Sequence, residues 1–495
     1  CISMQLQTMD FLELSTVLFC LGFLLQLLRL AFIFGRRSNG PTTLQQPTLE
    51  ITDPDIAHRA LIENADAFSN RPSTPFPVAL VTGRRRQRSD NLSTVPYGLR
   101  WRTLRRNLTA EMLHPSRMGF LAQMQKAAIN ALIPDLCRLC AGGGAGELVI
   151  RGHLYTAVFA LTARMCFGDD VDQRGLRASQ LVMEEFVRGV GEAQAYAGSK
   201  LAMLLHWRRR RRFLGSRGRM AEAFFPLIAA RRQKSNKPHC DEGIVVHSYV
   251  DSLLDLRVPD GDADTKDDDV DVRRALTDDE VVSLVSEFLG ASTETVVACV
   301  EWTLAHLVNE PDVQTKLRRE VDNEGESMAS DKNLRDMPYL RAVVLESLRM
   351  HPPVPFLMRD LRDEAAAGVL ETALPMAAGL RVHFMTGDIG RSAKVWTDPD
   401  EFRPDRFLAG GEAEDVGPLP GPKEIRMLPF GAGRRFCPGM GLAMLHIKCI
   451  LAALLREFEW APPAEVRGSK VDLTELDMMF KVMKHPLRAR VKQRT

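Results

Sequence analysis

The chain has 495 residues, 45% of them hydrophobic and 26% charged, and a formal net charge of +2. This is the composition of a globular protein with a sizeable core, not of a disordered or fibrous chain, and the charge balance makes no case for or against a nucleic-acid partner. The nine cysteines are scattered and frame no disulfide scaffold, which fits a reducing compartment. Length alone suggests roughly two to four domains, but no break in composition divides the chain, so one large domain also fits.

Residues 11 to 34 (FLELSTVLFCLGFLLQLLRLAFIF) are mostly apolar and long enough for one helical crossing of a bilayer. Arg36 and Arg37 follow the run and place the rest of the chain on the cytosolic side. No A-x-A-like cleavage site is evident, so the run is expected to remain as an anchor; a buried amphipathic helix is the alternative. Gly40, Pro41 and Pro47 mark a hinge. Residues 1–40 are therefore expected to form the anchor and hinge, and residues 41–495 one domain.

The stretch YGLRWRTLRR places Trp101 and Arg105 at i, i+4, on one face of a predicted helix, with Arg102 and Arg106 elsewhere around it. Taken alone this is a basic surface helix with a core tryptophan. The sequons at Asn91 and Asn107 stay unmodified if the anchor orientation holds. Cys137 and Cys140 lie in apolar, helical surroundings with no second pair at zinc-like spacing, and are expected to be ordinary helix residues. Residues 120–235 read as helices with polar breaks. Within them Trp207 precedes five arginines, Arg208 to Arg212, without the interleaved aromatics of a nucleic-acid patch. Residues 260–272 are acidic and poor in apolar side chains, and read as a surface loop.

Thr277 and Glu280 form a capping box, and a helix is predicted from Val281 to about Val308. It is apolar on most faces, as befits the centre of a large domain. Inside it lies Ala291-Ser292-Thr293-Glu294-Thr295. A carboxylate and hydroxyls in a buried helix need a reason: either a solvated break, or a proton relay of Thr295 and Glu294. Pro338 opens a further helix on which Glu346 and Arg349 lie side by side at i, i+3. The prolines between His351 and Arg359 exclude helix and predict extended chain, and the short apolar runs of 365–385 suit a small sheet.

Cys437 has a frame that no other cysteine shares, Phe430-Gly431-Ala432-Gly433-Arg434-Arg435-Phe436-Cys437-Pro438-Gly439. Each neighbour has a physical task if the sulfur binds a metal as thiolate. Gly433 and Gly439 let the backbone turn tightly against a flat ligand. A helix predicted to begin after Pro438 turns its positive end toward the sulfur. Arg435 can meet an acidic group by a charge-assisted fork, and Phe430 can shield the sulfur from water. The alternative is a buried cysteine beside a Gly-rich turn.

The spacing F-x-x-G-x-R-x-C-x-G resembles the haem-binding loop of the cytochrome P-450 superfamily, and further motifs follow in that family's order. W-x-x-x-R falls at Trp101 and Arg105. A-G-x-[DE]-T falls at residues 291–295, with Ser292 where glycine is usual. E-x-x-R falls at Glu346 and Arg349, with Arg406 of FRPDRF downstream. Glu50 to Leu61 resembles the family's strand-then-helix stretch, and the whole is most similar to plant microsomal members.

The resemblance implies a mainly α fold with small β-sheets, and haem b held between the long central helix and the helix after the Cys loop. It implies Cys437 as iron ligand, Phe430 and Gly439 beside it, and Trp101, Arg105, Arg359 and Arg435 at the propionates. It further implies Thr295 and Glu294 as managers of protons. Glu346, Arg349 and Arg406 become a structural clamp that does no chemistry. The implied reaction inserts one oxygen atom from O2 into a lipophilic small molecule, in a pocket walled by Val354, Phe356 and Met478-Met479-Phe480. Because no G-x-G-x-x-G follows a strand, electrons are expected from a separate, membrane-bound NADPH–cytochrome reductase, docking at Arg102, Arg106 and Lys423. No nucleic acid is involved. The expected location is the endoplasmic reticulum membrane, with the catalytic domain cytosolic and the Arg208–Arg212 run facing anionic lipid. Most of the stretch that microsomal members carry between anchor and Glu50 is expected to be missing, which shortens the N-terminal sheet. A haem-thiolate isomerase or dehydratase, and a non-catalytic haem binder, are the alternatives.

Overall fold

The computed structural model describes residues 48–72, 91–140, 147–169, 171–197, 200–235, 248–259, 273–323, 337–361, 366, 368–370, 380–463 and 470–494; the expected anchor, the hinge and the acidic 260–272 stretch lie outside them. Strand β1 (Thr48–Ile51) leads into α1 (Pro54–His58), whose N-cap Asp53 accepts the amides of Asp55 and Ile56 at 2.8 and 3.1 Å. A largely helical stretch follows: α2 (Leu99–Asn107), α3 (Met118–Cys140), then the short β2 (Glu147–Val149), α4 (Arg151–Phe167), α5 (Gln173–Ala197), α6 (Lys200–Leu205), α7 (Trp207–Ser235) and α8 (Tyr249–Asp255). Asn107 lies within α2, where its Nδ2 donates to Ser252 Oγ at 3.0 Å. The chain continues through the hairpin β3 (Arg257–Pro259) and β4 (Arg273–Ala275) into α9 (Asp278–Asn309), α10 (Pro311–Asn323) and α11 (Pro338–Met350). It then runs through β5 (Phe356–Leu361), β6 (Leu380–Met385), α12 (Thr386–Gly390), α13 (Met440–Glu457) and β7 (Phe458–Ala461) to β8 (Glu475–Asp477), β9 (Lys481–Met483) and β10 (Arg488–Gln493).

The sheets are small. One has the order β1-β6-β5, with β1 parallel to β6 through Leu49↔Val382 and β5 antiparallel to it through Arg359↔Val382. The other three-stranded sheet, β2-β10-β7, ties the chain's last strand to strands far apart in sequence. Helix α9 is the axis of the molecule. Its capping box is formed as expected, with Glu280 accepting the Thr277 amide at 2.8 Å, and every residue from Val296 to Asn309 is buried. That half packs with α3, α4, α11 and α13 in one apolar cluster, while Val281–Leu289 joins a second built with α4, α5, α7 and α8. Between the two, in Gly290 to Thr295, Ala291 is exposed and Ser292, Glu294 and Thr295 are half-buried. Cys137 and Cys140 lie in the last turn of α3, packed partly against the first cluster.

Three buried histidines have a consequence for acid stability. Burial holds His306 well below its ordinary value and His351 and His446 down to about 4. His306 and His351 meet through their Nε2 atoms at 2.9 Å, and His351 Nδ1 pairs with Glu475 Oε1 at 2.7 Å. These imidazoles are neutral in the fold but take up protons below about pH 6.5 once the chain unfolds. Their contribution to stability is complete above about pH 6.5 and is lost as the pH falls toward 4. His446→Leu should reduce the slope of unfolding free energy against pH in that window by about one proton. Urea titrations across the window check it; an unaltered slope contradicts a neutral buried His446.

Candidate active site

The loop before α13 is shaped by glycine at two positions. Gly431 and Gly433 have φ of +71° and +68°, the left-handed region. A Cβ on Gly433 would lie 2.3 Å from the backbone oxygen of Leu61, which cannot move aside, so the loop presses against the turn after α1. Gly439 has an ordinary φ of −87° as the N-cap of α13, so the backbone angle alone does not require glycine there. Its contribution is an amide donated to the Cys437 sulfur. The Cys437 amide in turn donates to the Phe430 carbonyl at 2.8 Å, closing the loop, and the half-buried Phe430 ring packs against the first cluster.

The Cys437 sulfur has charged partners as well as the Gly439 amide. Burial raises its thiol, while the Gly439 amide, Arg105 and Arg71 draw it down. Cys166 is raised and Cys299 pushed up to about 12, in each case by burial alone.

Around the sulfur the structure collects guanidiniums. Trp101, buried on α2, lies under two of them, with Arg435 Cζ at 5.1 Å and Arg105 Cζ at 5.8 Å from its ring centre. Arg105 donates to the Phe436 carbonyl at 2.9 Å. Arg435 donates to the carbonyls of Ser69 and Val95, each at 2.7 Å, and of Leu92 and Ser93 at 3.3 and 3.4 Å, so most of its donors brace the segment that precedes α2. Arg359, on β5 and 1% exposed, donates to Met358 and Ala432 carbonyls, and its Nε has no partner. A fourth guanidinium, Arg71, donates to the Ser93 carbonyl at 3.2 Å. Sequence reasoning missed Arg71: it stands alone in FSNRP with no periodic or paired partner to single it out.

Burial and mutual repulsion push these cations down, Arg435 to about 9 and Arg359 well below its usual range. The carboxylate recorded among them is Glu287 of α9, and it is engaged with the amides of Leu92 and Ser93 at 2.6 and 2.7 Å. Four crowded guanidiniums with one orphaned buried donor make a receptor for a polyanion. Among the described residues no group of three or more His, Cys, Asp and Glu converges on a metal position. A metal held by Cys437 must then bring its remaining donors with it. An iron porphyrin with two carboxylates meets both demands, so the residues present fit haem.

Across α9 the expected relay is divided. Thr295 turns its hydroxyl onto the Ala291 carbonyl at 2.7 Å, and Ser292 does the same to Phe288 at 2.6 Å. The helix is unbroken here. Glu294 is directed instead toward Tyr155 of α4, and burial with the nearby Glu184 pushes it up to about 7.

Glu346, Arg349 and Arg406 are brought together, all with fully buried side chains. Arg349 meets both Glu346 oxygens at 2.7 and 2.9 Å, and Arg406 Nε meets Oε1 at 3.0 Å. The outer donors of the two arginines are used by the carbonyls of Gly390, Pro399, Thr397, Asp398 and Glu401, and Arg406 also meets Glu412. Both guanidiniums lie over the Trp396 ring, at 5.0 and 5.6 Å.

A mostly helical fold with a cysteine loop before a buried helix, and guanidiniums gathered beside it, fits a haem-binding protein. The chain belongs to the cytochrome P450 family, whose profile, described as "Cytochrome P450", matches residues 42–492. Among curated relatives it is 33% identical to Cytochrome P450 89A9 of Arabidopsis thaliana, over 90% of this chain and 84% of that one. It is 26% identical to Tabersonine 6,7-epoxidase isoform 1 of Catharanthus roseus, over 87% and 79%. A zebra fish cytochrome P450 solved with progesterone shares the fold at TM-score 0.70 and 20% identity, covering 94% of this chain and 99% of that one. The mainly α fold and the monooxygenase class expected from the motifs are thereby established, and the family's cofactor is haem.

Proposed function

We propose that the protein is a haem b monooxygenase that inserts one oxygen atom from O2 into a lipophilic small molecule, with electrons from a separate NADPH–cytochrome reductase at the endoplasmic reticulum membrane. The observation that carries the reading is the Cys437 sulfur, with an amide donor behind it and the guanidiniums of Arg105 and Arg71 acting on it, in a cluster that Arg435 and Arg359 complete. Haem held by a cysteine thiolate would supply activation of O2 for cleavage of its O–O bond. The chain's own residues do the rest. Cys437 holds the iron, with the N-terminus of α13 and the Gly439 amide easing its negative charge. Trp101, Arg105, Arg359 and Arg435, with Arg71, hold the carboxylates. Thr295 holds a proton at its hydroxyl, Glu294 replenishes it, and Glu346, Arg349 and Arg406 fix the backbone behind the site. Val354, Phe356 and the half-buried to exposed tip Met478–Met479, with buried Phe480, offer an apolar wall to the substrate. A relative named for epoxidising tabersonine agrees with oxygen insertion into such a compound.

Exposed Leu204, Leu205 and Trp207, followed by Arg208 to Arg212, favour a surface turned to anionic lipid. Among the described residues α9 alone is long and apolar enough to cross a membrane, and 67% of its most apolar window is buried inside the protein, so it is a core helix. For the reductase, α2 offers an open groove of about 440 Å³ lined by Arg102, Arg105, Arg106 and His114. Arg102 and Arg106 are exposed there, and so is Lys423 on its own loop. Charge reversal at Arg102 and Arg106 should slow reduction by added reductase about tenfold at low salt and flatten its salt dependence. An unchanged rate removes this docking face. NADPH-dependent product formation that needs no added reductase overturns the electron source.

A further inference from the structure

Glu287, on the central helix α9, is joined to the guanidinium cluster through one turn of backbone. Its Oε2 accepts the Leu92 amide at 2.6 Å and its Oε1 the Ser93 amide at 2.7 Å. The turn is closed on itself, with the Asn91 carbonyl accepting the Thr94 and Val95 amides at 3.1 and 2.9 Å. Its carbonyls serve the cations. Val95 accepts from Arg435 at 2.7 Å, Leu92 and Ser93 from the same guanidinium at 3.3 and 3.4 Å, and Ser93 also from Arg71 at 3.2 Å. Leu92 and Ser93 therefore give their amides to Glu287 and their carbonyls to the cations. A guanidinium has five N–H donors in one rigid plane. With most of those of Arg435 fixed on backbone, the turn sets that plane. The Glu287 charge also acts on Arg71 and Arg435 directly, offsetting the burial that pushes both down. The same fork recurs at Glu320 of α10, which accepts the Tyr339 and Leu340 amides at 2.8 and 2.7 Å. There the amides open α11, and the bonds cap a helix. At Glu287 the amides belong to a turn whose far side holds two cations.

We propose that Glu287 is a positioning residue for the cofactor: through the Asn91–Val95 turn it sets where Arg71 and Arg435 stand, and so how firmly the haem carboxylates are held. The inference rests on the reading above, in which those guanidiniums bind the carboxylates. Glu287 acts through the turn and the cations, not on the reacting atoms. The role needs an anion with two accepting oxygens. Glutamine keeps the length but offers one acceptor and two donors, so one amide loses its partner and the charge is gone. Aspartate keeps the charge and both acceptors but is one methylene shorter, so the turn is displaced and not released.

The test uses the full-length, haem-loaded protein and two readouts that need neither substrate nor reductase. One is the rate of haem transfer to excess apomyoglobin. The other is the propionate-bending band of the resonance Raman spectrum, which reports hydrogen bonding at the haem carboxylates. Glu287→Gln should lose haem several-fold faster than the parent and shift that band to lower frequency. Glu287→Asp should fall between the two in both readouts. Arg71→Gln should resemble Glu287→Gln, and the double variant should lose haem no faster than the faster single, since the two residues act along one route. A Glu287→Gln protein with a lowered urea midpoint but the parent's haem loss and band is a structural tie only, and the positioning role is overturned. The role is overturned equally if the two effects on the rate multiply in the double variant. If Glu287→Gln does not fold, Glu287→Asp decides in its place, and a parental rate and band overturn the role. If Arg71→Gln and Arg435→Gln both keep the parental rate and band, the guanidiniums hold no carboxylate, and the underlying reading fails together with this one.

Discussion

Cys437→Ser is expected to abolish the thiolate-type Soret band of the reduced, carbon monoxide-bound protein while leaving its helix content intact. Serine is close to cysteine in size, so the loop can keep its Phe430 carbonyl bond and its contact with Leu61. What is lost is a sulfur that ionises: a serine hydroxyl does not become an anionic iron ligand under the same conditions. The environment makes the comparison specific, since the Cys437 sulfur has an amide donor and two guanidiniums acting on it, whereas Cys299 is affected by burial alone. Cys299→Ser serves as control, because its thiol is merely buried and should leave the band unchanged. A wild-type protein that incorporates haem without this band contradicts the assignment of the ligand.

Glu346→Ala is expected to cost about 3–5 kcal/mol, because it leaves the fully buried Arg349 without a counter-charge and Arg406 with only the part-exposed Glu412. That is a large part of the roughly 5–15 kcal/mol that holds a domain together. The variant should then be recovered mostly insoluble, or with its urea midpoint sharply lowered. Arg349→Ala should cost less, since Glu346 keeps Arg406 and the Arg403 amide while the Gly390 and Pro399 carbonyls lose their donor. Replacing all three with apolar residues of similar volume should hurt less than removing Glu346 alone, because desolvation no longer has charges to penalise. A Glu346→Ala chain within 1 kcal/mol of the parent would show that the carbonyls alone suffice.

These two sites were legible in the sequence because their residues are close together along the chain or carry fixed spacing. Glu346 and Arg349 are a helical i, i+3 pair, and the frame of Cys437 spans ten residues. The ends of α9 were legible for a similar reason, through the Thr277 capping box. Contacts between distant segments were not. Arg71 joins the cation ring only because the segment after α1 folds against the loop, and nothing local announces it. The direction of Glu294 was equally hidden: adjacent helical residues point about 100° apart, so Thr295 and Glu294 share a motif without sharing a face. Arg435 keeps most of its hydrogen bonds with backbone carbonyls, a partner type that leaves no trace in side-chain patterns. Spacing does not report φ either: Gly439 is an N-cap and Gly433 sits in a left-handed turn, and both positions favour glycine.

The fit between Gly433 and Leu61 also bears on how such chains can be recombined. The loop touches residues 61 and 66 through Gly433 and Arg434, and residues 69 and 92–95 through Arg435. A chimera that takes its Cys loop from one relative and its residues 54–95 from another would mate two surfaces that never met, although no crossover lies within the loop itself. The smallest unit that can be transplanted is therefore the loop together with that distant segment.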